Sequence, residues 1–347
     1  MPRPLTVAVA GATGAVGREI LAMLEARDIP VAHIIALASA RSAGSTVSFK
    51  GNELTVRELT AESFKGVDIA LFSAGGDTSK AFAPHAVRAG SVVVDNSSAW
   101  RMDDRCPLVV PEVNAHALKN HQGIIGNPNC STIQMVVVLA PLHKAASIKR
   151  VVVSTYQSVS GTGQKAIEEL EAQVRQMFNM AEPDVHVYPH RIAFNCLPQI
   201  DAFLENGYTK EEMKMVHETV KIMEDPAVKV TATTVRVPVF YGHSESVNIE
   251  FAKPLSAKEA RAILSVAPGV AVLDNPAEKM YPMPIQAAGE DEVFVGRIRQ
   301  DETQPNSLNL WIVADNIRKG AALNAVQIVE QLIRDDLVRV PDPGAFG

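Results

Sequence analysis

Cysteine is scarce in this chain, and long apolar runs are absent. The three cysteines in 347 residues, at positions 106, 130 and 196, are too widely spaced for a disulfide framework or a paired-cysteine metal site. No segment approaches the ~20 consecutive apolar residues that cross a bilayer. A strand begins already at Thr6, which leaves no room for a signal peptide. We therefore expect a cytoplasmic protein with no metal site and no membrane partner.

A surplus of positive charge is also lacking. The chain has 33 Lys and Arg against 39 Asp and Glu, a formal net charge of −6, and its basic residues do not form blocks interleaved with aromatics. This balance argues against nucleic acid as a partner. An anionic ligand would therefore be held by a few individually placed Arg and Lys side chains.

Apolar residues, by contrast, make up 47% of the chain, and its length suits two domains. Through the first third they recur in segments that alternate between strand and helix, which is typical of a parallel sheet. The predicted segments are strands Thr6–Ala10, His33–Ser39, Asp68–Phe72 and Ser91–Asp95, and helices Ala15–Ala26 and Ala81–Ala89.

After residue 150 the strands become longer and alternate apolar with polar residues, which predicts a second domain. Its predicted strands are Val151–Gln157, Lys229–Val239, Ser246–Phe251, Val293–Arg297 and Leu308–Ala314, and its predicted helices are Gly163–Phe178 and Lys210–Met223. A last apolar helix, about Arg318–Leu337, is expected to return and pack on the first domain.

A glycine-rich turn joins the first strand to the first helix. Gly11 permits a tight turn, Gly14 lets a phosphate approach the backbone, and Gly17 allows the helix to lie close to the strand. The strand–turn–helix context makes a dinucleotide site the preferred interpretation over a plain turn. The remaining cofactor contacts expected in this turn are Thr13, Ala15 and Val16.

The end of the second strand indicates which dinucleotide binds. NAD-binding domains usually carry an acidic residue there, which holds the ribose 2′-hydroxyl. Here no acid occurs between Asp28 and Glu53. Instead Arg41 can pair with a 2′-phosphate, and Ser39 and Ser42 can donate hydrogen bonds to it. The sequence therefore predicts NADP.

Two further turns follow predicted strands of the same sheet. One contains Ser73 and Gly75, and the other begins at Asn96. We expect both to border the nicotinamide. The alternative is that these small and polar residues simply end the strands.

Cys130 lies where a polar turn, Asn127–Asn129, meets an apolar run that is predicted to be a buried helix, Ser131–Leu142. In or just before the first helical turn, unpaired N–H groups and the positive end of the dipole stabilise a thiolate. The alternative is an ordinary buried cysteine. The turn also marks a domain boundary, where ligand clefts tend to form.

Taken together, these motifs resemble the aspartate-β-semialdehyde dehydrogenase family over nearly the whole chain. The matching segments are GATGAVG (11–17), SARSAG (39–44), DNSSAWRM (95–102), GNPNCST (126–132), YQSVSGTG (156–163), EEMKM (211–215), RVPVFYGHSE (236–245) and DNIRKGAA (315–322). The resemblance implies an α/β fold with a Rossmann-type NADP-binding domain at 1–128, completed by 315–347. A mixed-sheet α/β catalytic and dimerisation domain would occupy 129–314.

The resemblance also implies the reaction. The family reduces L-aspartyl 4-phosphate to the 4-semialdehyde with NADPH, releasing phosphate, in the route to lysine, methionine, threonine and diaminopimelate. It implies a homodimer and leaves a tetramer open. Cys130 would be the nucleophile and His243 the acid/base group, since a histidine titrates near neutral pH. Gln157 would orient the acyl group; without the resemblance, His243 reads as a surface residue and Gln157 as a polar strand end.

Substrate contacts follow from the same resemblance. Arg236 would bind the α-carboxylate through its planar fork, and Glu211 would bind the ammonium. On spacing alone, Glu211 and Lys214 read as a solvated ion pair on a helix that a Thr209–Glu212 capping box begins. The phosphate would meet Arg101, Lys214 and Asn129, and further cofactor contacts would come from Ser160, Gly161 and Asn316.

Two alternatives remain at this point. N-acetyl-γ-glutamyl-phosphate reductase catalyses the same chemistry, but an acetylated nitrogen carries no charge for Glu211 to pair with. Its nucleophile typically follows glycine, whereas Asn129 precedes the cysteine here. The other alternative is a catalytically silent paralogue. Such relatives usually lose the nucleophile, which this chain retains as Cys130.

Overall fold

The computed structural model describes residues 4–346 and divides the chain into two compact units. The first unit contains the residues up to Asn129 and those from Ala321 onward, and the second runs from Cys130 to Gly320. The sequence placed the corresponding divisions after residue 128 and at residue 315. No helix in the described part of the chain is both long and apolar enough to cross a membrane.

The first unit is built on a parallel six-stranded sheet. Its elements are β1 (Leu5–Ala10), α1 (Ala15–Ala26), β2 (Val31–Ala38), β3 (Thr46–Phe49), β4 (Asn52–Thr55), β5 (Arg57–Glu58), β6 (Ile69–Phe72), α2 (Gly76–Arg88), β7 (Val92–Asp95), α3 (Pro111–Asn114) and β8 (Ile124–Gly126). The strand order is β5-β2-β1-β6-β7-β8, and every neighbouring pair is parallel. Strands β3 and β4 form a separate antiparallel hairpin.

Buried apolar strands hold this unit together. The central strands β1, β6 and β7 consist mostly of Val, Ile, Leu and Ala, and nearly all their residues are buried, as is typical of parallel strands between helices. The C-terminal helix Leu323–Arg334 contributes Val326, Val329 and Leu332 to the same core as Val9 and Ile20. The C-terminal helix therefore completes the hydrophobic core formed by the N-terminal strands and helices of this unit.

The second unit is built on a mixed six-stranded sheet. Its elements are α4 (Cys130–Ala146), β9 (Ile148–Gln157), α5 (Gln164–Phe178), α6 (Lys210–Met223), β10 (Lys229–Arg236), β11 (His243–Phe251), α7 (Ala257–Leu264), β12 (Val270–Val272), α8 (Pro284–Ala287), β13 (Val293–Gln300) and β14 (Ser307–Ala314). The order is β10-β9-β11-β14-β13-β12; β9–β10 and β12–β13 are parallel and the other pairs antiparallel.

Helix α4 is the core of the second unit. Its residues 131–140 are all buried, and it packs against β9, β11, β13 and β14 as well as α6 and α7. On β9 and β11 the odd-numbered residues from Val151 and His243 onward are buried, because alternate side chains point to one face. The face of the sheet toward α4 therefore carries Gln157, Thr155, His243 and Glu245.

Most predicted elements exist, with shifted boundaries. The helix predicted over Lys210–Met223 is confirmed residue for residue. The helix predicted over Ser131–Leu142 starts one residue earlier, at Cys130, and continues to Ala146. The helix predicted at Ala81–Ala89 begins already at Gly76, because its first turn is polar and lacks the apolar period.

Two strands and the last helix needed larger corrections. The strand predicted over Lys229–Val239 ends at Arg236, two residues before Pro238, which cannot donate to a ladder. The strand predicted from Ser246 begins at His243. The last helix is split into a π-helix, Arg318–Ala322, and an α-helix that starts at Leu323 and ends at Arg334.

Candidate active site

The turn after β1 has the geometry of a phosphate cradle. A Cβ on Gly11 would lie 2.2 Å from the Ser73 carbonyl oxygen, and one on Gly17 would lie 2.1 Å from that of Gly11, so any side chain is excluded at both positions. Gly11 also has φ +87°, which favours glycine. The N-cap residue of α1, Gly14, has no side chain that could cap the helix. A helix N-terminus beside two positions that exclude side chains fits a dinucleotide pyrophosphate.

The other predicted cofactor residues of the first unit follow the carboxyl ends of adjacent parallel strands. Ser39 follows β2, Ser73 follows β6 and Asn96 follows β7, so all lie at the edge of the sheet that carries Gly11. Such an edge is where open α/β sheets bind ligands. Gly75 has φ +85° and precedes α2 with no side-chain cap. Thr13, Ala15 and Val16 lie in the turn and first helical residues after Gly11.

Residues 39–42 form a short exposed turn beyond β2. Ala40–Ser42 is a 3₁₀-helix, closed by a hydrogen bond from the Ser42 N–H to the Ser39 carbonyl (2.9 Å). The Arg41 side chain is exposed. Because the Gly11 N–H donates to the Leu37 carbonyl at the end of β2, this turn lies next to the glycine-rich turn.

A buried amide network supports Arg101. Its Nε donates to the Asn127 carbonyl (2.9 Å) and its Nη2 to the Asn96 carbonyl (2.7 Å). Asn127 Nδ2 donates to Asn96 Oδ1 (2.7 Å), and Asn324 Nδ2 donates to Asn127 Oδ1 (2.6 Å). The Asn127–Asn129 turn is thereby fixed within the first unit, with Asn129 buried.

Cys130 is the first residue of α4 and is partly exposed. The sequence placed it in or just before the first turn, and the structure confirms this position. Gly320 lies so close that a Cβ there would be 2.8 Å from the Cys130 Cβ. Gly320 belongs to the π-helix Arg318–Ala322, an element that is frequent at functional sites. The close approach keeps one side of the cysteine against the backbone.

Three predicted active-site side chains lie in one row across the second sheet. Arg236 is paired with Gln157 between β10 and β9. Ser244 is paired with Tyr156 between β11 and β9, so continuing this register by one residue places His243 beside Gln157. Paired residues share a face of the sheet. Three segments that are far apart in sequence thus contribute one row of candidate active-site residues.

His243 is fully buried, and its ring is held in one tautomer. The Ser158 N–H donates to Nδ1 (3.1 Å), so the neutral ring carries its proton on Nε2, which has no hydrogen-bond partner within residues 4–346. Burial, and then the Arg236 guanidinium, lower the pKa of His243 well below its usual value. This shift moves the pKa of His243 away from the neutral range on which its expected acid/base role depends. At pH 7 it offers an uncharged N–H.

A second network fixes that ring. Ser158 Oγ donates to Asn316 Oδ1 (3.0 Å), which also accepts from the Gly242 N–H (2.9 Å). Asn316 Nδ2 in turn donates to Ser160 Oγ (3.0 Å). Two residues predicted to contact the cofactor, Ser160 and Asn316, are thus buried parts of the support of His243.

Gly161 brings the backbone close to two of these side chains. A Cβ there would lie 3.0 Å from Arg236 Nη1 and 3.2 Å from His243 Nε2. Arg236 Nη1 itself donates to the Ser158 carbonyl (2.7 Å), which holds the buried guanidinium in place. Both functional nitrogens therefore border the same small space.

Glu211 and Lys214 form the ion pair that their spacing predicts. The Lys214 ammonium donates to Glu211 Oε2 (3.1 Å) and also to Asp201 Oδ2 (2.9 Å). Burial disfavours the charged ammonium, but the two carboxylates outweigh it and raise the pKa of Lys214. Gln157 Nε2 donates to Glu211 Oε1 (3.4 Å), which links this pair to the row on the sheet.

Several supporting residues were not predicted. Asp201 lies in a loop and becomes the partner of Lys214 only through the fold. Ser158 follows Gln157 directly, and Gln134 is one helical turn after Cys130. Their spacing from these predicted site residues could therefore have indicated a supporting role. The Gln134 Nε2 donates to the His243 carbonyl oxygen (3.3 Å), a contact that joins α4 to β11.

Two sequence families match the chain. "Semialdehyde dehydrogenase, NAD binding domain" matches residues 6–121, and "Semialdehyde dehydrogenase, dimerisation domain" matches residues 139–319. Fold and site therefore define a semialdehyde dehydrogenase with an NAD(P)-binding Rossmann domain. The aspartate-semialdehyde dehydrogenase of Aquifex aeolicus is 59% identical over 336 residues, which cover 96% of this chain and 99% of the relative. The chain belongs to the aspartate-semialdehyde dehydrogenase family of enzymes.

Solved structures agree with this assignment. The aspartate semialdehyde dehydrogenase II of Vibrio cholerae, crystallised in complex with ASA, has a TM-score of 0.94 and 48% identity, covering 96% of this chain and 99% of that one. The aspartate semialdehyde dehydrogenase of Candida albicans, solved with NADP, has a TM-score of 0.76 and 26% identity, covering 96% of this chain and 100% of that one.

Proposed function

We propose that this enzyme interconverts L-aspartyl 4-phosphate and L-aspartate 4-semialdehyde with NADP(H), serving lysine, methionine, threonine and diaminopimelate synthesis. The observation that carries the proposal is the row of Arg236, Gln157 and His243, in the same unit as Cys130 and with Glu211 bonded to Gln157. The row supplies a carboxylate-binding fork, an amide and an N–H donor.

Cys130 is the proposed nucleophile. Its thiolate, stabilised by the N-terminus of α4, attacks the acyl carbon of the substrate. A carbon–sulfur bond forms as the bond to phosphate breaks, and inorganic phosphate leaves. The bound dinucleotide supplies the hydride that reduces the resulting thioester. The carbon–sulfur bond then breaks, which releases the aldehyde and regenerates the thiolate.

His243 is proposed to act through its Nε2–H. Negative charge develops on the acyl oxygen both when sulfur attacks and when the thioester is reduced. A neutral imidazole that accepts at Nδ1 can donate to that oxygen from Nε2. Gln157 is proposed to orient the same acyl group through its side-chain amide. A hydrogen bond from this N–H strengthens as negative charge develops on the acyl oxygen, so the interaction favours the transition state over the bound substrate.

Charge complementarity supports the choice of substrate. Arg236 is proposed to bind the α-carboxylate, Glu211 the ammonium and Lys214 the phosphate. Arg101 and Asn129 of the first unit are proposed as further phosphate ligands. The N-acetylated glutamyl substrate of the related reductase would leave the Glu211 carboxylate without a cationic group to bind.

NADP is proposed as the dinucleotide. The cradle at Gly11 and Gly17 excludes side chains, and the turn beyond β2 offers Arg41, Ser39 and Ser42 without an acid in residues 29–52. The Candida albicans structure with NADP supports the same choice. We expect Arg41→Gln to raise the KM for NADP about tenfold or more, since a charge-assisted contact is lost, while the KM for NAD stays unchanged. Equal changes for both dinucleotides would contradict the assignment.

A cytoplasmic homodimer is also proposed. The dimerisation-domain family covers the second unit, and Tyr156 and Trp311 lie on the sheet face opposite α4, with ring centroids 5.4 Å apart. Tyr156 is 38% exposed in the single chain. Light scattering should give twice the mass of the chain, and Tyr156→Glu should reduce it to the monomer. A parent protein that is monomeric at micromolar concentration would contradict the proposal.

The reverse reaction tests the substrate. NADP reduction is followed with aspartate semialdehyde plus phosphate, and separately with N-acetyl-glutamate semialdehyde plus phosphate. Activity with the first alone supports the proposal. Activity with the second alone indicates the related reductase, and activity with neither indicates a silent paralogue.

Cys130→Ala tests the mechanism. We expect turnover to be abolished while NADP binding, measured by fluorescence titration, remains. Cys106→Ala is the matched control, because this cysteine is buried in the first unit. Loss of NADP binding together with turnover in Cys130→Ala would indicate a structural cysteine instead.

A further inference from the structure

A second polar row lies directly beneath the functional one. Thr234 is paired with Thr155 between β10 and β9, and Thr155 is paired with Glu245 between β9 and β11. The next row down is apolar, with Ala232 paired with Val153. Glu245 is therefore the one ionisable residue of its row, and it lies two residues after His243 on the same strand face.

Among residues 4–346, Glu245 makes no hydrogen bond of standard geometry, although the Gln134 side-chain amide lies near its carboxyl group. It is 0% exposed, and neither carboxyl oxygen is bonded. Its cross-strand neighbours are Thr155 and Ile312, which are uncharged. The Arg236 guanidinium and the His243 ring belong to the row above. A buried carboxylate without a donor is strongly unfavourable, so this side chain requires a proton or a partner.

Gln134 is the complementary group. Its Nε2 donates to the His243 carbonyl (3.3 Å), but its Oε1 is buried and has no partner among residues 4–346. Gln134 lies four residues after Cys130, and so on the same face of α4. A protonated carboxyl is a donor, and the Gln134 Oε1 is an acceptor that lacks one.

We propose that Glu245 is held as a neutral carboxylic acid and donates its O–H to Gln134 Oε1, which makes it a positioning residue for the reaction. It fixes the Gln134 amide, and this amide holds the strand of His243 against the helix of Cys130. The inference rests on the roles proposed for Cys130 and His243. Burial raises the pKa of Glu245 well above its usual value, and the nearby Gln134 amide opposes this shift only in part.

Two variants distinguish a positioning role of Glu245 from a role in packing alone. Glu245→Gln keeps a donor for Gln134 Oε1 and cannot ionise, whereas Glu245→Leu fills the same space without a donor. We expect kcat of Glu245→Gln to stay within about threefold of the parent. The kcat of Glu245→Leu should fall about tenfold or more, because this variant loses one buried hydrogen bond. KM for the semialdehyde should change little in either. Ile312→Val, on the opposite strand, is the packing control and should keep the parent's kcat.

Infrared spectroscopy detects the proton on the Glu245 carboxyl directly and does not depend on enzyme activity. In infrared spectra at pH 8, the parent minus Glu245→Gln difference should contain the carbonyl band of one protonated carboxyl. A carboxylate band instead would overturn the proposal. Parental kcat in a folded Glu245→Leu would also overturn it. Should the parent show no turnover with either semialdehyde, the proposed function fails, while the infrared result still decides the state of Glu245.

A double variant completes the test. If Glu245 acts through Gln134, the kcat losses of Glu245→Leu and Gln134→Leu should not multiply when combined, because both remove one interaction. Losses that multiply would show independent effects and contradict the proposed contact.

Discussion

Single residues of this site act through what surrounds them, and Gly161 is the clearest case. It has no side chain, yet Arg236 Nη1 and His243 Nε2 both lie against the position of its absent Cβ. Arg236 is anchored to a carbonyl and His243 to a backbone N–H, so neither can move without losing a buried hydrogen bond. A methyl group at this position would therefore displace one of them or fill the space proposed for the acyl oxygen.

Gly161→Ala should lower kcat/KM for the semialdehyde by about tenfold to a hundredfold, because small misplacements of catalytic groups are costly. Steady-state kinetics and the melting midpoint check this. Gly344→Ala is the matched control: its Cβ would lie 3.2 Å from the side chain of Asp342, and it should leave the kinetics unchanged. Parental kcat/KM in Gly161→Ala would show that the space is not used by substrate.

The sequence predicts which residues belong to the candidate site better than it predicts their protonation states and partners. The Cys130 position follows from local signals, a polar turn before an apolar run, and it is confirmed. The state of His243 does not follow, because burial and the Arg236 guanidinium arise from strands that meet only in the fold. Likewise, Asp201 becomes a partner of Lys214 across 13 residues of sequence. No local pattern encodes such a contact.

At the level of elements, helix α6 shows how local sequence can fix a functional group. Thr209 Oγ1 accepts from the Glu212 N–H (3.3 Å), and Glu212 Oε2 accepts from the Thr209 N–H (2.7 Å), so both halves of the predicted capping box are confirmed. The helix therefore begins at Lys210, which places Glu211 in its first turn. Helix α7 begins with the same motif, at Ser256 and Glu259, on an exposed surface.

These two caps allow a matched comparison. Thr209→Ala and Ser256→Ala should each lower the free energy of unfolding by about 1 kcal/mol, the usual worth of an N-cap side chain. Only Thr209→Ala should raise KM for aspartate semialdehyde, because fraying of α6 displaces Glu211. Urea titration and steady-state kinetics provide both values. A raised KM in Ser256→Ala would mean that the kinetic effect reflects general destabilisation.

Strand boundaries were harder to predict than helices, for a physical reason. The apolar pattern of β11 is interrupted at its start by His243 and Glu245, so sequence periodicity placed the beginning at Ser246. Both side chains are nevertheless buried, because α4 covers that face. The two polar residues that interrupt the hydrophobic pattern are His243, a proposed active-site residue, and Glu245, which lies in the row beneath it.

For the whole molecule, the two buried ionisable groups of β11 make opposite contributions to stability against pH. The pKa of His243 is lowered in the folded state, so the unfolded chain binds more protons, and stability is lost as pH falls below about 6.5. The pKa of Glu245 is raised, so the folded chain binds more protons, and stability is lost as pH rises above about 4.5. Each group is thus buried at a cost to stability, which its proposed role in the reaction would explain.

Glu245→Gln removes the loss of stability that the buried Glu245 carboxyl causes as pH rises. Above pH 4.5 the parent should lose up to about 1.4 kcal/mol of unfolding free energy for each pH unit relative to the variant, until the folded carboxyl itself ionises. The melting midpoint of Glu245→Gln should therefore exceed that of the parent at pH 8, and the difference should narrow toward pH 5. Ile312→Val, which changes the packing beside Glu245 but removes no ionisable group, should show no such dependence. The contrary outcome is a difference in melting midpoint between the parent and Glu245→Gln that stays constant from pH 5 to pH 8. That result would mean that Glu245 is ionised in the folded enzyme and that a partner compensates for its burial.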